Sequence, residues 1–155
     1  MSFYIHREAE CENGLVTVER LSGELAEAYG SRDEKPLILT ASDPDGGWIG
    51  GLNGVIHWRW LYIAQLFVAP SRRGFGAGRA LLAKAEELAR EGDCVGLYLD
   101  TFSPSALKFY RANGFAIVGR IENFPPGAVR TFLSKSITLA SASGHKARLL
   151  RRGLE

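Results

Sequence analysis

Cysteine is scarce in this chain of 155 residues: Cys11 and Cys94 are the only two, and neither has partners at metal-ligand spacing. That density excludes a disulfide-stapled secreted scaffold and points to a reducing, cytoplasmic setting. No stretch approaches the roughly 18 apolar residues a membrane span needs, and no basic start leads into an apolar run, so no membrane partner is expected. Neither sign of charge dominates, with 19 basic and 17 acidic side chains giving a formal +2. The surplus is local. Lys146, Arg148, Arg151 and Arg152 against Glu155 give residues 140–155 a charge of +3, which leaves −1 for residues 1–139 and no nucleic-acid footprint. Two familiar phosphate loops are also missing. There is no Gly-Lys-Ser or Gly-Lys-Thr, and a G-x-G-x-x-G pattern counted from Gly74 ends on Arg79 instead of glycine. The glycines also follow what reads as a hairpin, not the first βαβ unit a dinucleotide fold would place them in.

What is present is ordinary for one globular domain: 46% hydrophobic and 23% charged residues, enough for a real core. We assign that domain to residues 1–139 and read 140–155 as a basic, flexible tail, with Ser141 to Gly144 its loosest part and Leu154-Glu155 open as a cloning remnant. The run Leu61 to Val68 is apolar on alternate and intervening positions apart from Gln65 and is stopped by Pro70, which predicts a central strand covered on both faces. Downstream, Leu81, Leu82, Ala85, Leu88 and Ala89 form one helical stripe over Arg79 to Glu91, and Gly92 stands at the C′ position.

The flanks follow the same logic. Phe3 to Arg7 reads as a short edge strand, and Val18, Leu21, Leu25 and Ala28 as a helix ending near Gly30. Leu37 to Ala41 and Trp48 to Trp58 are strands divided by the turn Asp43-Pro44-Asp45-Gly46-Gly47, and a reversal around Trp58-Arg59-Trp60 completes an antiparallel meander. Val95 to Leu99, Phe115 to Ile121 and Val129 to Ile137 are the remaining strands. Ser103 as N-cap and Pro104 at N1 predict a helix over Pro104 to Ala112 that stops at Asn113-Gly114.

Chemistry concentrates at Arg73-Gly74-Phe75-Gly76-Ala77-Gly78, between the long strand and the helix. Glycines leave backbone N–H groups unshielded at a helix mouth, and Arg73 and Arg79 stand on either side, so the turn can seat a phosphate; a purely structural turn is the alternative. Arg73, Gly76 and Gly78 fall on the Q/R-x-x-G-x-G/A motif of the GCN5-related N-acetyltransferase (GNAT) superfamily. Ala106, Tyr110, Gly114 and Phe115 fall on its A-x-x-x-Y-x-x-x-G-F spacing. The chain therefore resembles that superfamily from about Leu37 to Thr138. The wording Leu-Asp-Thr-Phe-Ser and Phe-Pro-Pro-Gly resembles a bacterial-type branch of small acetyltransferases.

The resemblance implies an α/β fold: a mostly antiparallel mixed sheet of six to seven strands, splayed between the fourth and fifth and flanked by helices. It implies acetyl-CoA as donor, no metal, and transfer of the acetyl group to a primary amine of a small molecule or peptide by direct attack through a tetrahedral intermediate. Arg73, Gly74, Phe75, Gly76, Ala77, Gly78 and Arg79 would hold the diphosphate. Leu66, Phe67 and Val68 would pair with the pantetheine amides, and Tyr110 would face the sulfur as the acid for the departing thiolate, its ordinary pKa near 10 set against about 8.5 for a thiol. Ser103 stands where the superfamily often has asparagine, and capping already accounts for it. Lys108 and Arg111 are candidates for the 3′-phosphate, with solvated surface charge as the alternative. Where relatives carry a carboxylate on the fourth strand this chain has Gln65, which cannot take a proton at neutral pH, so His57, Asp100, Glu122 or a water chain are left as bases. The acceptor pocket is expected from the N-terminal arm, Trp58, Trp60, Tyr62 and the Phe124-Pro125-Pro126-Gly127 segment, whose aromatics could equally pack the core or the face of a homodimer. The missing carboxylate keeps a non-catalytic acyl-CoA binding or sensing module as the alternative function. A nucleotide-dependent oxidoreductase is argued against by Arg79.

Overall fold

A computed structural model describes residues 12–137 together with Tyr4, Ile5 and Arg7. Phe3 and His6 of the expected first strand, and the tail from residue 138 on, lie outside the described residues. Residues Met1–Asp33 form a compact unit of their own, whose helix α1 (Glu12–Tyr29) ends where the N–H of Gly30, at φ 82°, reaches back to the carbonyl of Ala26. The rest of the chain is built on one sheet.

Alternating apolar positions and glycine turns make six strands: β1 (Lys35–Ser42), β2 (Trp48–His57), β3 (Trp60–Val68), β4 (Gly96–Thr101), β5 (Ala116–Glu122) and β6 (Val129–Ser136). Their order is β1-β2-β3-β4-β6-β5, and β3 with β4 is the one parallel pair among antiparallel neighbours. Helix α2 (Ala77–Glu91) makes the crossover from β3 to β4, and α3 (Pro104–Ala112) the one from β4 to β5. Two parallel crossovers advancing in one direction lie on one face when both are right-handed. The contact confirms it, since a Cβ on Gly78 of α2 would meet the ring of Phe109 of α3 at 3.5 Å. The fold is the mixed, mostly antiparallel sheet with flanking helices anticipated above.

The core lies on that face. Leu52, Leu61, Leu97 and Leu133 are fully enclosed, and α2 adds Leu81, Leu82, Ala85 and Ala89 from the predicted stripe. Each enclosed leucine is worth about 1.5–3 kcal/mol of transfer free energy. The opposite face carries Trp60, Tyr62, Tyr98, Asp100, Arg130 and Phe132, all half-buried. Here the expectation for β3 needs correcting: it is central in order but is closely packed on one face, and Ala64, Gln65 and Phe67 are exposed. Its apolar run reads as doubly covered because aromatic side chains occupy the second face.

Two turns depart from glycine rules. Gly92 caps α2 at φ −85°, and the left-handed residue is Asp93, at φ 57°, so the predicted role of Gly92 at C′ passes one residue on. A Cβ at Gly92 would lie 3.3 Å from the carbonyl of Leu88, so close approach rather than positive φ favours glycine there. The β2–β3 reversal consists of Trp58 and Arg59, at φ 44° and 63°, a two-residue hairpin with both central residues left-handed and neither a glycine. Arg59 is held by its Nε donating to the carbonyl of Asp93 at 2.9 Å and its own carbonyl accepting from Val95 at 2.7 Å.

Between β2 and β3 the register slips at Asn53/Gly54: Gln65 faces Asn53 and Ile63 faces Gly54, leaving Ala64 as the extra residue of a bulge. A bulge bends its strand and increases its twist. From that residue on, β3 no longer pairs with β4, whose partners end at Tyr62 opposite Tyr98. The sheet splays open there.

Candidate active site

The glycine turn positions the first turn of α2. Gly74 and Gly76 take φ 82° and 92°, and a Cβ on either would meet nothing within 4 Å, so it is backbone conformation that calls for glycine. Gly76 is the N-cap and offers no side chain, and no acidic residue occupies the first turn. The first helix-entry bond runs from Ala80 to the carbonyl of Gly76 at 2.9 Å. Among the described residues the N–H groups of Ala77, Gly78 and Arg79 therefore have no acceptor, and they point out at the positive end of the helix dipole. Arg73 donates from Nε to the carbonyl of Val68 at 2.9 Å and lies 5.6 Å from the Phe67 ring centroid, which ties the turn to the end of β3. Arg72 is engaged with Asp43 at 2.7 Å.

This turn closes one end of a cleft of about 770 Å³ that follows the splay. Leu66, Phe67 and Val68 form one wall, Asp100 to Ser103 the other, and Ala106, Phe109 and Tyr110 the floor from α3. On its β2 side, β3 is paired through Val68. The edge turned toward the cleft is unpaired beyond Tyr62, so backbone donors and acceptors are available to an amide-bearing ligand. Arg73, Gly74, Gly76, Ala77, Gly78, Arg79 and Ser103 also line the cleft; Phe75 stands 85% exposed beside it, and Lys108 is on an exposed turn of α3 outside the lining. Ser103 accepts from the N–H of Ala106 at 3.3 Å, the cap anticipated from sequence.

Tyr110 is 7% exposed, wedged between Phe109 and Phe115 at centroid distances of 5.3 and 5.8 Å, and faces the cleft. Its hydroxyl has no hydrogen-bond partner among the described residues. Burial pushes its pKa above the usual 10, and the charge of Asp100 pushes the same way, so the phenol keeps its proton throughout the neutral range.

Of the three candidate bases, one lies in the cleft. Asp100, at the end of β4, receives the Nε of Arg130 at 2.5 Å on one oxygen and the hydroxyl of Tyr62 at 3.3 Å on the other. His57 joins the Tyr98 hydroxyl at 2.8 Å, and Glu122 lines an adjoining hollow of about 520 Å³ between α3 and the β5–β6 hairpin, which meets the cleft at Thr101, Phe102 and Ser103. Tyr62 stacks on Tyr98 at 4.9 Å, and Arg130 lies over Phe124 at 4.6 Å and Phe132 at 5.8 Å. Tyr62 is shifted up by burial first and by Asp100 second. Gln65 is exposed on β3 and also lines the cleft. Arg130 is the residue that sequence reasoning missed: its place beside Asp100 depends on the β4–β6 register, in which Asp100 faces Phe132, and no local pattern carries that.

A cleft between splayed parallel strands, floored by a tyrosine and ended by an uncapped glycine turn, accompanies a matching family model: residues 4–115 fit the Acetyltransferase (GNAT) family. The chain belongs to that family. Acetyltransferase Atu2258 of Agrobacterium fabrum (strain C58) is 35% identical over 135 residues, spanning 87% of this chain and 98% of the relative. The crystal structure of an acetyltransferase from Agrobacterium tumefaciens superposes with a TM-score of 0.74 at 34% identity, covering 88% of this chain and 100% of that one. A streptothricin acetyltransferase structure from Bacillus anthracis, solved in complex with acetyl coenzyme A, gives a TM-score of 0.62 at 25% identity over 72% of this chain and 68% of its own. This GNAT-family member is thus an acyltransferase with the family's fold and acetyltransferase activity. Among its described residues no helix is long and apolar enough to cross a membrane, and no three His, Cys, Asp or Glu side chains group as metal ligands.

Proposed function

We propose that the enzyme takes its acetyl group from acetyl-CoA and passes it to a primary amine of a small molecule or peptide. The observation that carries this reading is the continuity of the cleft: anion-seeking N–H groups of α2 at one end, the free edge of β3 along it, and the buried Tyr110 hydroxyl opening into it. The residues fit the donor. Ala77, Gly78 and Arg79 supply main-chain donors, and Arg73 and Arg79 supply charge, for the diphosphate. Along Leu66, Phe67 and Val68 the unpaired edge of β3 offers main-chain N–H and C=O groups for the two pantetheine amides, the Val68 carbonyl being shared with Arg73. Bound there, the donor supplies an activated acyl carbon and a thiol leaving group.

The chain's own part is positioning and proton control. The splay holds the acyl group where an amine from the second face of the sheet can reach it, and N–H groups at the bulge are the available donors for the developing oxyanion. Tyr110 Oη holds a proton for the departing sulfur. Asp100, with both oxygens already engaged, orients Arg130 and Tyr62, and we assign proton removal from the amine to water in the open cleft. The test is thiol release from acetyl-CoA over a panel of polyamines, aminoglycosides, amino acids and peptide N-termini, alongside calorimetric titration of coenzyme A. Acetylation of at least one amine is expected, and absence of coenzyme A binding by the folded protein would sink the reading.

A further inference from the structure

Arg130 projects from β6 onto the second face of the sheet beside the cleft, and its surroundings are unusual for a cation that serves only to neutralise Asp100. Its Nε alone makes the ion pair; the two terminal nitrogens of the guanidinium have no partner among the described residues. The group is nonetheless fixed. Its Cζ lies over the rings of Phe124 and Phe132, Asp100 holds its near edge, Tyr62 bonds the other oxygen of Asp100, and 28% of the side chain stays open to solvent. A guanidinium held over aromatic rings and anchored through Nε presents a fork of two parallel N–H donors, which matches a planar carboxylate.

We propose that this fork is the specificity element of the acceptor pocket, and that the acceptor is an amine carrying a carboxylate close to its amino group. The proposal rests on the acyl-transfer reading above and adds the chemical class of the acceptor. Asp100 lines the cleft and is bonded to Arg130, so this arrangement assigns the acceptor's carboxylate to the fork and its amine to the Asp100 side, toward the place where the sheet splays. An amine and a carboxylate on one small molecule satisfy both.

The experiment measures kcat/KM with acetyl-CoA for matched pairs of amines, each an amino acid and its decarboxylated counterpart, with the corresponding aminophosphonate as a third member. The wild type is expected to prefer the carboxylate-bearing member by about 10²-fold, the worth of charge-assisted hydrogen bonds at a partly open site. Arg130→Lys keeps the charge and removes the fork, and its preference is expected to fall below about tenfold; Arg130→Gln is expected to abolish it. Circular dichroism and coenzyme A titration of both variants show whether fold and donor site survive, and Arg130→Lys, which leaves Asp100 paired, serves if Arg130→Gln does not fold. Equal rates across each pair in the wild type, a stronger preference for the phosphonate, or a preference retained in a folded Arg130→Lys would each overturn the proposal. Binding of coenzyme A together with acetylation of amines regardless of carboxylate would reject this inference and leave the acyl-transfer reading standing. No coenzyme A binding at all would reject both.

Discussion

At the scale of single residues, Tyr110 makes the sharpest demand on the chemistry. Replacing it by phenylalanine keeps the ring between Phe109 and Phe115 and removes only the hydroxyl that faces the cleft. Turnover is expected to fall by about 10² to 10⁴, the usual contribution of one positioned acid, while coenzyme A affinity holds. Unchanged turnover in that variant would take Tyr110 out of the mechanism. Its raised pKa sets the sign of the pH dependence: the protonated phenol is the folded state's preferred form, so its contribution is complete below the ordinary pKa of 10 and is lost only as pH climbs through the higher folded value. An alkaline fall in rate near the thiol range of about 8.5 would therefore belong to another group. The place of Tyr110 on α3, facing the cleft, was legible from sequence because the turn-and-cap pattern around Ser103 and Asn113 set the helix, and the family spacing singled out the tyrosine. Asp93 was not. Nothing in a Gly-Asp pair says that the aspartate and not the glycine takes φ 57°, and Asp93→Gly should relieve that strain and raise stability by about 0.5–1 kcal/mol, read as a higher midpoint in urea.

Among elements, the pairing of β2 with β3 decides whether there is a cleft at all. The bulge at Ala64 coincides with the last β3–β4 pair, and it is accommodated by Gly54, where a Cβ would lie 2.6 Å from the carbonyl of Tyr62 and 3.0 Å from a methyl of Leu61. Backbone cannot yield as a side chain does. Gly54→Ala is expected to cost about 1–3 kcal/mol and to weaken coenzyme A binding by narrowing the splay. Gly119→Ala on β5 is the control, since nothing lies within 4 Å of its Cβ position and it should behave as wild type. A Gly54→Ala protein with normal melting and normal coenzyme A affinity would show that the bulge does not open the sheet. Strand positions were readable in the sequence because alternation and Gly-Pro punctuation are local. The bulge was not, because it is a property of two strands in register, and the same holds for Arg130 meeting Asp100 across β4 and β6.

For the whole molecule, the decisive quantity is the coupling between donor binding and global stability. The proposed diphosphate seat leads into α2, whose buried stripe shares the core with the sheet that carries the free edge of β3, so ligand binding there is linked to unfolding of that unit. Acetyl-CoA or coenzyme A at 100 times its dissociation constant should stabilise the native state by about 2.7 kcal/mol. At about 2–4 °C per kcal/mol for a chain of this size, the melting temperature should rise by roughly 5–11 °C. NAD and NADP share a diphosphate but lack the pantetheine arm, so they should give a small fraction of that shift, and Gly76→Ala, which forces a Cβ onto φ 92°, should reduce the coenzyme A shift more than it lowers the melting point of the free protein. Equal shifts from NAD and coenzyme A would mean that the turn recognises a diphosphate alone, and the edge of β3 would then have no part in choosing the donor.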